Sequence, residues 1–304
     1  RDVAPSRGLG DVYKRQPLIS AEWNWRVQLL IPAILSLIAT ALAWRYFPES
    51  PRWLESRGRY QEAEKVMRSI EEGVIRQTGK PLPPVVIADD GKAPQAVPYS
   101  ALLTGVLLKR VILGSCVLIA MNVVQYTLIN WLPTIFMTQG INLKDSIVLN
   151  TMSMFGAPFG IFIAMLVMDK IPRKTMGVGL LILIAVLGYI YSLQTSMLLI
   201  TLIGFFLITF VYMYVCYASA VYVPEIWPTE AKLRGSGLAN AVGRISGIAA
   251  PYAVAVLLSS YGVTGVFILL GAVSIVVAIA IATIGIETKG VSVESLSIDA
   301  VANK

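Results

Sequence analysis

The sequence predicts an all-α, polytopic membrane protein, and three observations carry that prediction. The 304 residues are 56% hydrophobic and only 14% charged, too few charges to cover the surface of a soluble domain of this size. The apolar residues fall in long uncharged runs, and a helix needs about 20 of them to cross a bilayer. Seven runs qualify, at 27–44, 111–137, 146–168, 175–195, 196–223, 235–260 and 261–286; six hold no charge and the 235–260 run holds only Arg244. Alternation with a period of two is absent, which argues against a membrane β-barrel.

Along the chain, residues 1–16 (RDVAPSRGLGDVYKRQ) are polar, without helical periodicity and without the apolar core of a signal peptide. DVYKRQ is also the translation of GAT GTG TAT AAG AGA CAG, the mosaic end of a transposase-based sequencing adapter. The expectation is a non-native tail over 1–16, with the native sequence running from near Pro17 inside a longer reading frame. The first span, within 17–46, then ends in FPESPRWLES at 47–56.

Residues 47–108 form a polar segment between the first span and the rest. Over 51–76 Trp53, Leu54, Tyr60, Ala63, Met67, Ile70 and Val74 recur at near-helical spacing, which predicts one amphipathic helix. Pro51 suits its first turn after Ser50, and Glu64 with Arg68 makes an i, i+4 pair. TGKPLPPVVIADDGKAPQAVP at 78–98 holds five prolines and reads as an extended linker.

Six spans follow over 109–286, with a short tail at 287–304. Counting Lys and Arg on alternate sides, with 1–16 set aside, gives eighteen on the side of the 45–110 segment and two, Arg26 and Lys144, on the other. The positive-inside rule puts the first side and the C-terminus in the cytoplasm. The two cysteines, Cys116 and Cys216, sit inside spans, and there is no histidine. Neither a metal site nor a cofactor is expected, and without span acids or histidines no enzyme chemistry is expected. Topology explains the net charge of +7 without a nucleic-acid partner.

Four loops carry a family resemblance. PESPRWL at 48–54 resembles the motif after the sixth helix of sugar-porter and organic-ion members of the major facilitator superfamily. DKIPRK at 169–174 resembles the loop D-x-x-G-R-[RK] between helices eight and nine, with Pro172 in place of Gly. PEIWPTEAKLRGSG at 224–237 resembles the loop between helices ten and eleven. IETKG at 286–290 resembles the tail P-E-T-K-G, with Ile286 in place of Pro. Glu49-Ser50 and Glu287-Thr288 echo each other, as duplicated halves should. The resemblance implies a C-terminal six-helix bundle of a major facilitator fold, preceded by the last helix of an N-terminally truncated N-terminal bundle. It also implies a multi-pass protein of the cell (inner) membrane that is a metabolite:proton symporter by type. The missing bundle of the same chain would be a necessary partner, so the sequence as it stands is expected not to transport.

Two groups of candidate residues follow. Asp169, Arg173, Glu225 and Arg234 lie at the ends of spans, where salt bridges can latch one side shut; the resemblance adds Glu49, Arg52 and Glu287 to this gating network. Within the spans, polar side chains are costly unless they face protein or water. Asn122, Gln125, Tyr126 and Asn130, spaced three, one and four, share a helix face. Tyr212, Tyr214, Tyr217, Ser219 and Tyr222 crowd the 196–223 span, and Tyr214 and Tyr217 are the ones taken as solute contacts. In the 235–260 run Ala239, Gly243 and Gly247 repeat every four residues and predict close helix contact, while Pro251 predicts a bend. Arg244 lies nine residues past Gly235, deep in the span, with Asn240 a turn below; its guanidinium suits a carboxylate. GRISGIAAP at 243–251 resembles a helix-eleven stretch that is basic at this position in carriers of organic anions. The reading is therefore a carrier of a small organic anion, an aromatic or heterocyclic carboxylate, working by alternating access with a proton as co-substrate. A sugar or polyol carrier is the alternative, and a non-transporting sensor on a carrier scaffold a second. No acid lies within any run, so a proton-coupling carboxylate is expected elsewhere.

Overall fold

A computed structural model describes residues 24–79, 81, 98–228 and 231–290. The 1–16 tail, most of the proline-rich linker and the residues after Gly290 lie outside the described residues. Every regular element described is a helix. The chain divides into two compact units, Arg1–Asp89 and Asp90–Lys304.

In the first unit α1 (Asn24–Tyr46) is the first apolar span, with its side chains exposed from Leu29 to Tyr46. The expected single amphipathic helix over 51–76 is two helices, α2 (Pro51–Ser56) and α3 (Tyr60–Thr78). The chain turns between them at Gly58, whose φ of 73° is cheap only for glycine. The Leu54 carbonyl accepts from Arg57 N and from Arg59 N, closing the end of α2. Pro51 opens α2 after Ser50, and Arg68 reaches Glu64 at 2.6 Å. Gly79, at φ 65°, ends α3.

The second unit holds α4 (Tyr99–Leu102), α5 (Gly105–Thr138), α6 (Leu143–Met154), α7 (Gly156–Val167), α8 (Arg173–Ser192), α9 (Met197–Val215), a π-helical turn (Cys216–Tyr222), α10 (Val223–Glu225) and α11 (Lys232–Ile284). Among the described residues six helices are long and apolar enough to cross a membrane, counting α6–α7 and the stretch from α9 to α10 as one each. The last of them, α11, has 53 residues and is interrupted at Gly262, with φ 65° and ψ −161°. At 1.5 Å per residue it would be about 80 Å long if straight, well over twice a bilayer core. Its two arms are the two expected spans 235–260 and 261–286. The residue with non-helical torsions is Gly262; Pro251 stays within the helix.

Packing partners fix the directions of these arms. From Ala239 through Gly243 to Gly247 the first arm climbs α5 past Gly114, Leu118 and Tyr126. The second arm descends α8, with Phe267 beside Gly188 and Tyr191, and delivers Glu287 to Arg173. Small residues set the tightest approaches: an ideal Cβ on Gly160 would sit 2.2 Å from the Thr209 carbonyl oxygen of α9. The ends that carry Arg173, Glu225 and Glu287 thus meet at one end of the bundle.

Candidate functional site

At that end the sequence brings three chain segments to one arginine. Pro172 precedes α8 and supplies no side-chain cap, so the first N–H groups of the helix need an acceptor from elsewhere. Glu287 is that acceptor: its carboxylate takes the N–H of Arg173 at 2.7 Å and of Lys174 at 3.1 Å. A negative charge at a helix N-terminus is also favoured by the helix dipole. Burial pushes the Glu287 carboxyl up, but backbone bonds from Arg173, Lys174 and Lys289 and the Arg173 charge together leave it below its ordinary value of 4.5.

The Arg173 guanidinium is only 8% exposed and grips Glu225 with two bonds, Nε at 3.0 Å and Nη2 at 3.1 Å. It also reaches Asp169 at 3.4 Å and donates to the Met168 carbonyl. Asp169 itself is 89% exposed, so this last pair is weak. Two contributors went unnamed at the level of sequence. Thr288 donates to Glu225 at 2.5 Å, and the Lys289 ammonium donates to the Lys170 carbonyl at 2.7 Å. Both belong to the IETKG stretch, and their polarity beside Glu287 was the available signal.

The structure brings Asp169, Arg173, Glu225 and Glu287 together. It places Arg234 differently, over the Tyr99 ring at 5.2 Å, a cation–π arrangement. Glu49 is exposed in the first unit, and the Arg52 side chain lies outside the described residues.

The second cluster is on the α5–α11 contact. Gly243 and Gly247 let the two helices approach until Asn122 and Tyr126 lie against α11; an ideal Cβ on Gly243 would be 3.0 Å from Asn122 Nδ2, and one on Gly247 3.1 Å from the Tyr126 ring. Arg244, on the same arm, donates to the Tyr126 hydroxyl at 2.5 Å. Asn122 is buried and donates to the Leu118 carbonyl at 2.8 Å. Gln125 and Tyr126 are half-buried, and Asn130 and Arg244 are exposed. Asn240 is exposed and donates to the Ser236 carbonyl at 3.0 Å. The face therefore grades from a packed amide at Asn122 to open polar groups at Asn130 and Arg244.

Tyr214 and Tyr217 are not on this face. Both are fully buried in the bundle, where Tyr214 donates to the Val117 carbonyl at 3.1 Å. Tyr217 stacks on Tyr222 at 5.0 Å with 15° between the rings. The π-helical turn explains the stack. Residues five apart on an α-helix point about 140° away from each other, whereas the i→i+5 bonding of a π turn brings them onto one side. Helical spacing read across Cys216–Tyr222 therefore misplaces these rings.

This arrangement of helices is similar to that of a solved major facilitator superfamily protein, the proton:xylose symporter XylE bound to 6-bromo-6-deoxy-D-glucose. The TM-score is 0.58 at 22% identity, over 94% of this chain and 62% of that one. A double-tryptophan mutant of XylE gives a TM-score of 0.66 at 17% identity, over 95% and 62%. The fold is thus that of a major facilitator transporter. The chain belongs to the family described as "Sugar (and other) transporter", whose family model matches residues 12–300. Among curated relatives, the inner membrane metabolite transport protein YdjE of Escherichia coli (strain K12) is 44% identical over 282 residues, 92% of this chain and 62% of that protein. The niacin transporter NiaP of Acinetobacter baylyi is 26% identical, over 91% of this chain and 62% of its own length. The arabinose-proton symporter of Bacillus subtilis (strain 168) is 26% identical, over 90% and 59%. The chain therefore spans 62% or less of the length of each of these three relatives.

Proposed function

We propose that this chain contributes the C-terminal bundle of a secondary transporter that moves a small organic anion across the inner membrane by alternating access, coupled to protons. Membership of a transporter family supports the transport part. The observation that carries the anion part is Arg244: an exposed guanidinium on a membrane-spanning arm, steered by the neutral Tyr126 hydroxyl. A charge in that position is costly unless a cavity or a partner meets it, and its fork-like geometry fits a carboxylate. Gln125, Asn130 and Asn240 would supply hydrogen bonds around it. The relation to a niacin transporter agrees with a heterocyclic carboxylate.

The cluster at Arg173 is the proposed latch. Asp169, Glu225 and Glu287 hold it shut, and the end of the bundle that carries it faces the cytoplasm, as the distribution of Lys and Arg indicates. A sugar or polyol is the second reading, favoured by the arabinose-proton symporter among the relatives.

Uptake of labelled nicotinate, benzoate, arabinose and xylose separates these readings in cells expressing the complete native reading frame. Acid uptake is expected, lowered about 10- to 100-fold by Arg244→Ala, the effect of losing one charge-assisted contact, and partly restored by Arg244→Lys. Acid uptake indifferent to Arg244→Ala would remove that residue from the site. Uptake of the sugars alone would establish the second reading.

A further inference from the structure

The strap that follows α11 carries Glu287 to α8 and Thr288 to Glu225, so its path decides whether the Arg173 cluster assembles. The helix itself does not set that path, because α11 ends at Gly285 with an extended ψ of 149°. Tyr222 does. Its hydroxyl accepts from the Ile286 N–H at 3.0 Å and donates to the Ile286 carbonyl at 3.1 Å, holding both polar groups of one residue. A Cβ on Gly285 would meet the same hydroxyl at 3.0 Å. The N–H half of the grip requires only that residue 286 is not proline. The P-E-T-K-G tail that this stretch resembles has proline there, and proline has no N–H to donate.

Tyr222 is itself held. It is fully buried in the π-helical turn, and its ring stacks on Tyr217. Tyr217 in turn lies 5.7 Å from Tyr214 and packs so tightly on α8 that a Cβ at Gly177 would sit 2.4 Å from the Tyr217 hydroxyl oxygen. A rigid aromatic column thus ends in a hydroxyl aimed at the strap.

We infer that Tyr222 is the positioning residue of the Arg173 cluster: by gripping Ile286 it presents Glu287 to the N-terminus of α8 and Thr288 to Glu225. It acts through the strap and touches neither the charge pair nor a transported solute. The inference rests on the latch reading, but it can be tested without transport.

Amide hydrogen exchange at Arg173 and Lys174, the two N–H groups that Glu287 accepts, reads the cluster directly in the purified full-length protein. Tyr222→Phe keeps the ring stack and removes both bonds; Ile286→Pro removes one bond from the other side. Exchange at the two amides is expected to rise about tenfold in Tyr222→Phe and about threefold in Ile286→Pro, the scale of two bonds and one. Glu287→Gln should raise it as well, and Tyr222→Phe combined with Glu287→Gln should add little to Glu287→Gln alone, because the two lie on one path. Exchange that stays at the wild-type rate in both grip variants would overturn the inference. So would fully multiplicative effects in the double variant, or acceleration spread evenly over α5 and α9, which marks general loosening. If Tyr222→Phe does not fold, Ile286→Pro with Glu287→Gln completes the same cycle. Loss of uptake with normal exchange, or the reverse, tells failure of the transport reading from failure of this one.

Discussion

Two arginines in the same bundle have opposite surroundings. Arg173 is 8% exposed and is gripped by Glu225, Asp169 and a backbone carbonyl, while Glu287 holds its N–H. Arg244 is exposed, and the partner it engages is a neutral phenol. A guanidinium satisfied by carboxylates of its own chain has its charge neutralised and its geometry fixed, so it serves structure. One that is oriented but not neutralised keeps its charge for something else. Among the described residues no carboxylate bonds Arg244, and that difference separates a joint from a candidate binding group.

The contrast can be broken most sharply at Arg173. Arg173→Ala leaves Glu225 and Glu287 facing each other without their shared cation. Removing one member of a largely buried pair costs about 3 kcal/mol, so the thermal midpoint of the purified protein should drop by several degrees. Arg244→Ala, measured alongside, should leave the midpoint within about 1 °C of wild type, as a surface change does. Equal losses in the two variants would erase the distinction. A smaller effect is expected at the helix contacts that keep both clusters in register. Gly160→Ala drives a methyl into the Thr209 carbonyl at 2.2 Å, which forces α7 from α9 at a cost of about 1–3 kcal/mol. Gly179→Ala, with open space around its Cβ, is the matched control and should cost nothing measurable.

Much of this was legible in the sequence because a bilayer leaves the backbone little choice. Buried N–H and C=O groups must pair within their own segment, so uncharged runs become helices. The cluster at Arg173 was legible too, since its members sit in short polar loops between such runs. What escaped is where the chain departs from regular spacing. Gly58 splits the amphipathic helix, and only its positive φ reveals the turn. The π turn at Cys216–Tyr222 shifts the phase of the tyrosines, so Tyr217 and Tyr222, which α-helical spacing would point apart, stack on each other inside the bundle. Arg234 illustrates a different limit. Its place in a loop motif gave no hint that it would lie over Tyr99, a residue far back in the chain and outside every apolar run.

The finest distinction between the arginines is in their response to acid. Glu287 has its carboxyl held below the ordinary value of 4.5, so its bonds to α8 add stability that is complete above about pH 4.5 and is lost as the pH falls through the depressed folded-state value. The surroundings of Arg244 contain no such group among the described residues, so its face should not change over that window. Hydrogen exchange at Arg173 and Lys174 should therefore show an added acceleration as the pH falls below 4.5, beyond the intrinsic pH dependence of amide exchange. Amides of α11 around Arg244 should follow the intrinsic curve alone. In Glu287→Gln the extra acceleration should vanish, because the amide side chain cannot titrate. If the variant keeps it, another group governs the acid response of this end, and the carboxylate cap on α8 is not what holds it together.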